Sequence, residues 1–177
     1  MNIFITDECP TICAITLADR HVRSQMGETA RILTTALYRK GITGPLFGKP
    51  YNPNGRFAKW ASEDWNNFMW LAFHGMALVE EHDLRFKTLH GSSLEIIAAG
   101  QLGYLMLDEA PDIPTRWPHC EAAKEYIEVH SFDVFNAYEN VLRDKYEAWV
   151  AKGRSPKWTN TSPPHWLQAT SERYLIR

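Results

Sequence analysis

The feature that most constrains this chain is the helical period running from Ala18 to about Arg39. At 100° per residue, Val22, Met26, Ala30, Leu33, Ala36 and Leu37 fall on one arc, and Gly41 supplies a stop. His21, Gln25, Glu28 and Ile32 line the edge of that arc, where core meets surface. Nowhere does a period-two alternation last long enough to make a strand, so the pattern predicts an all-α fold.

Other helices follow from the same period and from end signals. Asp7 or Thr11 is placed to cap a helix opening near Pro10, because proline tolerates the first turn. Ser62, with Glu63 and Asp64 in the first turn, predicts a helix to about Phe86, apolar on more than one side as a central helix is. A third is expected from Ser92 to about Met106, and a fourth between Ser131 and Gly153 with Val134, Tyr138, Val141, Leu142, Tyr146 and Trp149 inward. Residues 41–59 hold four glycines and three prolines and predict an ordered loop.

With 177 residues, 45% of them hydrophobic, the chain suits one domain, residues 1–177, with its own core. No apolar run reaches membrane-spanning length and the N-terminus has no basic-then-apolar leader pattern, so a cytoplasmic protein is expected. Cys9, Cys13 and Cys120 are odd in number and unsuited by spacing to zinc or a redox pair; buried free thiols are expected.

The net charge of −2 conceals two basic blocks. Residues 18–59 sum to +6 and residues 152–177 to +4, on either side of a middle segment at −10. The C-terminal block interleaves Trp158, Trp166 and Tyr174 with Lys152, Arg154, Lys157, Arg173 and Arg177, a mixture that suits bases and phosphates. An arm whose tryptophans simply dock on the core is the more ordinary explanation of the same pattern.

No phosphate-binding glycine loop, H-E-x-x-H, paired C-x-x-C or G-x-S-x-G occurs. In "VEEHDLRFKTLH", Glu81 and His82 are adjacent and point apart on a helix, which favours a solvated helix end over a metal site; neither metal nor cofactor is expected. What remains is "LADRHVRSQMGETARIL" at 17–33, where His21 and Glu28 lie two turns apart within a basic segment. A carboxylate near an imidazole serves as a general acid or base, and hydrolysis of an N-glycosidic bond needs such a group as positive charge develops on the sugar. A plain surface pair explains the same spacing.

That stretch resembles the N-terminal helix of the phage endonuclease V type pyrimidine-dimer DNA glycosylases. There Leu-Ala-Asp-x-His is followed by a catalytic Glu seven residues after the His. Here these are Leu17, Ala18, Asp19, His21 and Glu28, with Arg31 at the position of a DNA-contacting Arg. The chain is also similar to a broad set of phage proteins through Trp60, "NFMWL" at Asn67 to Leu71, Arg85, Phe86, His90, Trp158 and "PHW" at Pro164 to Trp166.

The resemblance implies an all-α, metal-free DNA glycosylase acting on damaged or modified pyrimidines in duplex DNA. Glu28 and His21 would be catalytic, and Met1 too, through the α-amine that forms a Schiff base in this family. Such an amine titrates near ~8 and is partly uncharged at neutral pH. Asn2 is larger than the residue this family exposes after methionine removal, so water activated by Glu28 is the alternative nucleophile. Arg20, Arg23, Arg31, Arg56, Lys59 and Lys157 would hold DNA, and Trp60, Trp158 or Trp166 would stack on an extruded base. A nucleotide-level enzyme on the same scaffold and a noncatalytic DNA or protein adaptor stay open.

Overall fold

The computed structural model describes residues 2–107 and 117–167, and its fold is all-α, with no strand among those residues. An extended segment, residues 2–6, buries Ile3, Phe4 and Ile5 and leads into α1 (Pro10–Ile15). After one corner comes α2 (Asp19–Arg39), then a loop, α3 (Arg56–Glu63), α4 (Trp65–Phe86), α5 (Ser93–Met106), α6 (Glu121–Glu128) and α7 (Val134–Ala151). An arm, residues 152–167, returns across the start of α2.

The centre is α4, packed against α1, α2, α3 and α5. Phe68, Leu71 and Leu78 are its largest fully buried apolar side chains. Glycines let α5 approach it: a Cβ on Gly103 would fall 2.0 Å from the Phe68 ring, and one on Gly75 of α4 would fall 2.7 Å from Ile96 of α5. Neither position has room for alanine without displacing a ring or a helix. α7 joins the same core through Tyr138 and Tyr146, with Phe4 set edge-on to Tyr138 at 6.3 Å.

α2 and α5 follow the sequence pattern to within a residue, whereas three other segments differ. One long helix from Ser62 was expected; instead the chain breaks at Asp64, extended at φ −143°, whose carboxylate accepts the Asn66 N–H at 2.7 Å and caps α4. The residues before it, starting at Arg56, form α3 rather than the expected end of a loop. Its Ser62 accepts from the Arg39 guanidinium at 2.8 Å, and its apolar side carries Phe57, Trp60 and Ala61 into the core. The short α6 was not foreseen either. Cys13 and Cys120 are buried free thiols, but Cys9 is exposed.

The expected solvated end of α4 is a buried ionic cluster. Arg85, with 0% of its side chain exposed, donates to Glu81 at 2.8 Å, Asp19 at 3.2 Å and the carbonyls of Leu17 at 2.7 Å and Ile15 at 3.0 Å. One guanidinium thus ties α4 to the α1–α2 corner. His82 lies beside it, bonded to the Thr88 carbonyl at 2.8 Å and packed on Phe86 and His90. No helix among the described residues is long and apolar enough to cross a membrane.

Removing the guanidinium leaves the Glu81 carboxylate and the Ile15 and Leu17 carbonyls without their donor at a largely buried site, and takes one partner from Asp19. Arg85→Ala should therefore lower unfolding free energy by about 3–5 kcal/mol in urea titrations; a loss below about 1 kcal/mol, the scale of an exposed ion pair, would contradict the cluster's role.

Candidate functional site

The outer face of α2 carries Arg20, Arg23, Ser24, Gly27, Glu28 and Arg31, residues three and four apart that form one ridge. The inner face, with Val22, Met26, Ala30 and Leu33, is buried. Glu28, half-buried, sits on this ridge between Arg23 and Arg31. Across 26 residues of sequence, the backbone N–H of Asn2 donates a short hydrogen bond to Glu28 Oε2. Gln25, one turn earlier, donates to the Asn2 carbonyl at 2.8 Å and fixes the extended segment beside the helix. Burial of Ile3 and Ile5 holds that segment in place, so the Asn2–Glu28 pairing follows from core packing.

A cavity of about 210 Å³ opens beside Asn2, lined by Ile32, Asn52, Arg56, Phe57, His119 and Glu121 among others. Arg56 guards it, donating to the His119 carbonyl with His119 Nδ1 at 3.2 Å. A second, open cavity of about 730 Å³ lies over the start of α2, where Arg20 and Arg23 face the arm. Aromatic faces support the ridge cations: Arg23 lies 3.9 Å from the Phe86 centroid, Arg20 5.2 Å from Trp149 and Arg31 5.9 Å from Tyr51.

The remaining expected site residues fall elsewhere. His21 is in the core among Phe4, Tyr146 and Trp149, its Nδ1 3.3 Å from the Tyr146 hydroxyl. Burial, reinforced by Lys145 and Arg20, pulls its pKa down to about 3, so at neutral pH it is an uncharged packing group. Trp60 is enclosed by Trp70 and Trp117, Trp158 donates to the Thr16 carbonyl at 3.1 Å, and Trp166 is buried. Trp60 and Trp166 are thus buried, and Trp158 is partly buried against the core, as the docking alternative for the arm has it. Lys59 and Lys157 are exposed, on α3 and on the arm. Met1, Arg173, Tyr174 and Arg177 lie outside the described residues.

The signature residues mostly build the scaffold. Asp19 accepts from Thr159 through N–H at 3.0 Å and hydroxyl at 2.7 Å, and its own N–H donates to the Lys157 carbonyl at 2.8 Å. Ala18 N–H donates to Tyr146, Asn67 to the Trp60 carbonyl and Trp70 to the Glu8 carbonyl. Asn2, Tyr51 and Phe86 are the neighbours of the ridge that sequence spacing did not single out. For Asn2, the unbroken apolar run "IFI" that follows was the available signal, since it marks a segment that must be buried.

Among the described residues, no three His, Cys, Asp or Glu side chains gather as a metal site requires. No protein-family model matches the chain, and searches of curated proteins and of solved structures find no match.

Two buried histidines give the fold a defined response to acid. His74, bonded to the Pro10 carbonyl, is lowered by burial to about 4, as His21 is to about 3. Below pH ~6.5 the unfolded chain takes up protons that these folded imidazoles refuse, so stability is full above that pH and falls as pH drops toward 4. Urea midpoints measured from pH 7 to 4 should decline steadily; a flat profile would contradict the burial of both rings.

Proposed function

We propose that this protein is a DNA glycosylase that cleaves the N-glycosidic bond of a damaged or modified pyrimidine in duplex DNA, with Glu28 as its central group. The observation that carries the reading is the direct bond between Asn2 N–H and Glu28, which sets the N-terminal segment against the carboxylate. The resemblance of residues 17–33 to the pyrimidine-dimer glycosylases supports it independently. So does the placing of Arg23 and Arg31 on either side of Glu28 along one exposed ridge.

Glu28 would act where positive charge develops. As the base departs, the sugar acquires oxocarbenium character, and a carboxylate alongside stabilises it more than it stabilises the neutral ground state. The nucleophile that completes the reaction is either water, activated by the same carboxylate, or an amine at the N-terminal segment that Glu28 already holds. The water route leaves an abasic site; the amine route forms an imine at C1′ and leads on to strand cleavage. Arg20, Arg23, Arg31 and Lys157 would bind backbone phosphates, and the cavity beside Asn2 would receive a base edge between Asn52 and Arg56.

Docking on phosphates makes affinity depend on released counterions. With about four phosphates neutralised, duplex binding should weaken roughly a hundredfold between 50 and 200 mM salt; a nearly salt-independent affinity would remove this footprint.

The chemistry is tested by strand breakage in ultraviolet-irradiated and base-modified duplexes, with and without hot alkali. Alkali-dependent breaks are expected from the water route and direct breaks from the amine route. Glu28→Gln should reduce either by at least a hundredfold without changing the melting temperature by more than a few degrees. Equal activity in wild type and variant, or no breaks on any duplex, would overturn the assignment.

A further inference from the structure

The larger cavity holds more positive charge than the glycosylase reading uses. Arg20 and Arg23 enter it from α2, Arg154 and Lys157 from the arm, with Ser155 supplying a hydroxyl and Phe86, Trp149 and Pro156 an apolar wall. Among the described residues its one lining carboxylate is Asp19, which is already engaged by Arg85 and by Thr159 N–H and hydroxyl. The four cations are therefore left to face the opening. Two are held in place by aromatic faces, Arg23 by Phe86 and Arg20 by Trp149, which reduces the ordering cost when an anion arrives.

We propose that this cavity binds the terminal phosphate group of a nucleotide, at a site separate from Glu28. A backbone phosphodiester carries one charge and is presented on a convex duplex. A terminal phosphate carries about −1.5 to −2, and a diphosphate more, which matches a concave cluster of four cations. At about 730 Å³ the cavity is within the size range of small-molecule sites. Arginine guanidinium groups beside aromatic rings are also a setting in which a base can stack. Two sources share this chemistry, a free nucleoside diphosphate and the 5′-phosphorylated end of a strand. Because Arg20, Arg23 and Lys157 also belong to the duplex footprint, an occupant of the cavity should compete with duplex binding.

The site does not depend on the reaction assigned to Glu28, and the test keeps the two apart. Calorimetric titration with ADP at low salt compares wild type, Glu28→Gln and the doubly substituted Arg154→Glu, Lys157→Glu protein. Wild type and Glu28→Gln should bind equally, with the double variant weakened at least tenfold. Both substituted side chains are exposed, so the fold should persist. Arg20→Gln, which removes a cation from the opposite wall, should also weaken binding. In a second arm, a short single strand carrying a 5′-phosphate is compared with its 5′-hydroxyl counterpart. Preference for the phosphate with no ADP binding assigns the site to strand ends, and still upholds it. Absence of binding in both arms, or undiminished binding in the double variant, would overturn the proposal.

Discussion

The Arg85 guanidinium is the constraint on which the rest of the molecule depends. A charge with no solvent exposure is tolerated only where its donors are matched, and here two carboxylates and two main-chain carbonyls take them. Those carbonyls belong to Ile15 and Leu17, the turn between α1 and α2, so the central helix dictates the angle at which α2 leaves that corner. Asp19 passes the constraint outward by holding Thr159, and with it the arm that forms the far wall of the cationic cavity. One buried ion thus fixes the helix that bears Glu28 and the segment that faces its start.

The same helix divides its two sides between different tasks. Its inner side is filled with Val22, Met26, Ala30 and Leu33, and its edges with His21 and Gln25, both nearly inaccessible. The outer side keeps polar groups that no core contact explains, Arg20, Arg23, Glu28 and Arg31. The residues of the 17–33 stretch therefore separate by environment: Leu17, Ala18, Asp19 and His21 hold the corner, while Glu28 and Arg31 face outward. Under the proposed function, a catalytic role falls to Glu28, a phosphate-binding role to Arg31 and a positioning role to the first group. His21, neutral and enclosed by aromatic rings, would orient the helix rather than exchange protons with a substrate.

How much of this the sequence disclosed depends on the range of the forces involved. α2 was legible because a 3.6-residue period over six turns is a local property, and α5 because its ends carry clear signals. The break at Asp64 was not, because Ser62, Glu63 and Asp64 are each acceptable in a first turn and only the packing of Trp60 and Phe57 selects Asp64 as the cap. Glu81 read as solvated because Arg85, which pairs with it, is itself buried by Asp19 and the Ile15 and Leu17 carbonyls, 66 to 70 residues away in sequence. The tryptophans of the basic arm looked like stacking platforms for the same reason: composition does not reveal that Trp158 donates to Thr16. Glu28 could be picked out by spacing and resemblance, but its contact with Asn2 arises from tertiary burial of the "IFI" run.

The central claim is that the outward ridge of α2 around Glu28, together with the segment at Asn2, is where DNA is engaged. Amide chemical-shift changes on titrating the isotope-labelled protein with a duplex containing one stable abasic-site analogue test this most directly. The account predicts the largest changes at Asn2, Arg23, Gly27, Glu28 and Arg31, with small changes along the exposed side of α5. Changes centred on α5 or α6, with the Glu28 ridge silent at saturation, would contradict it.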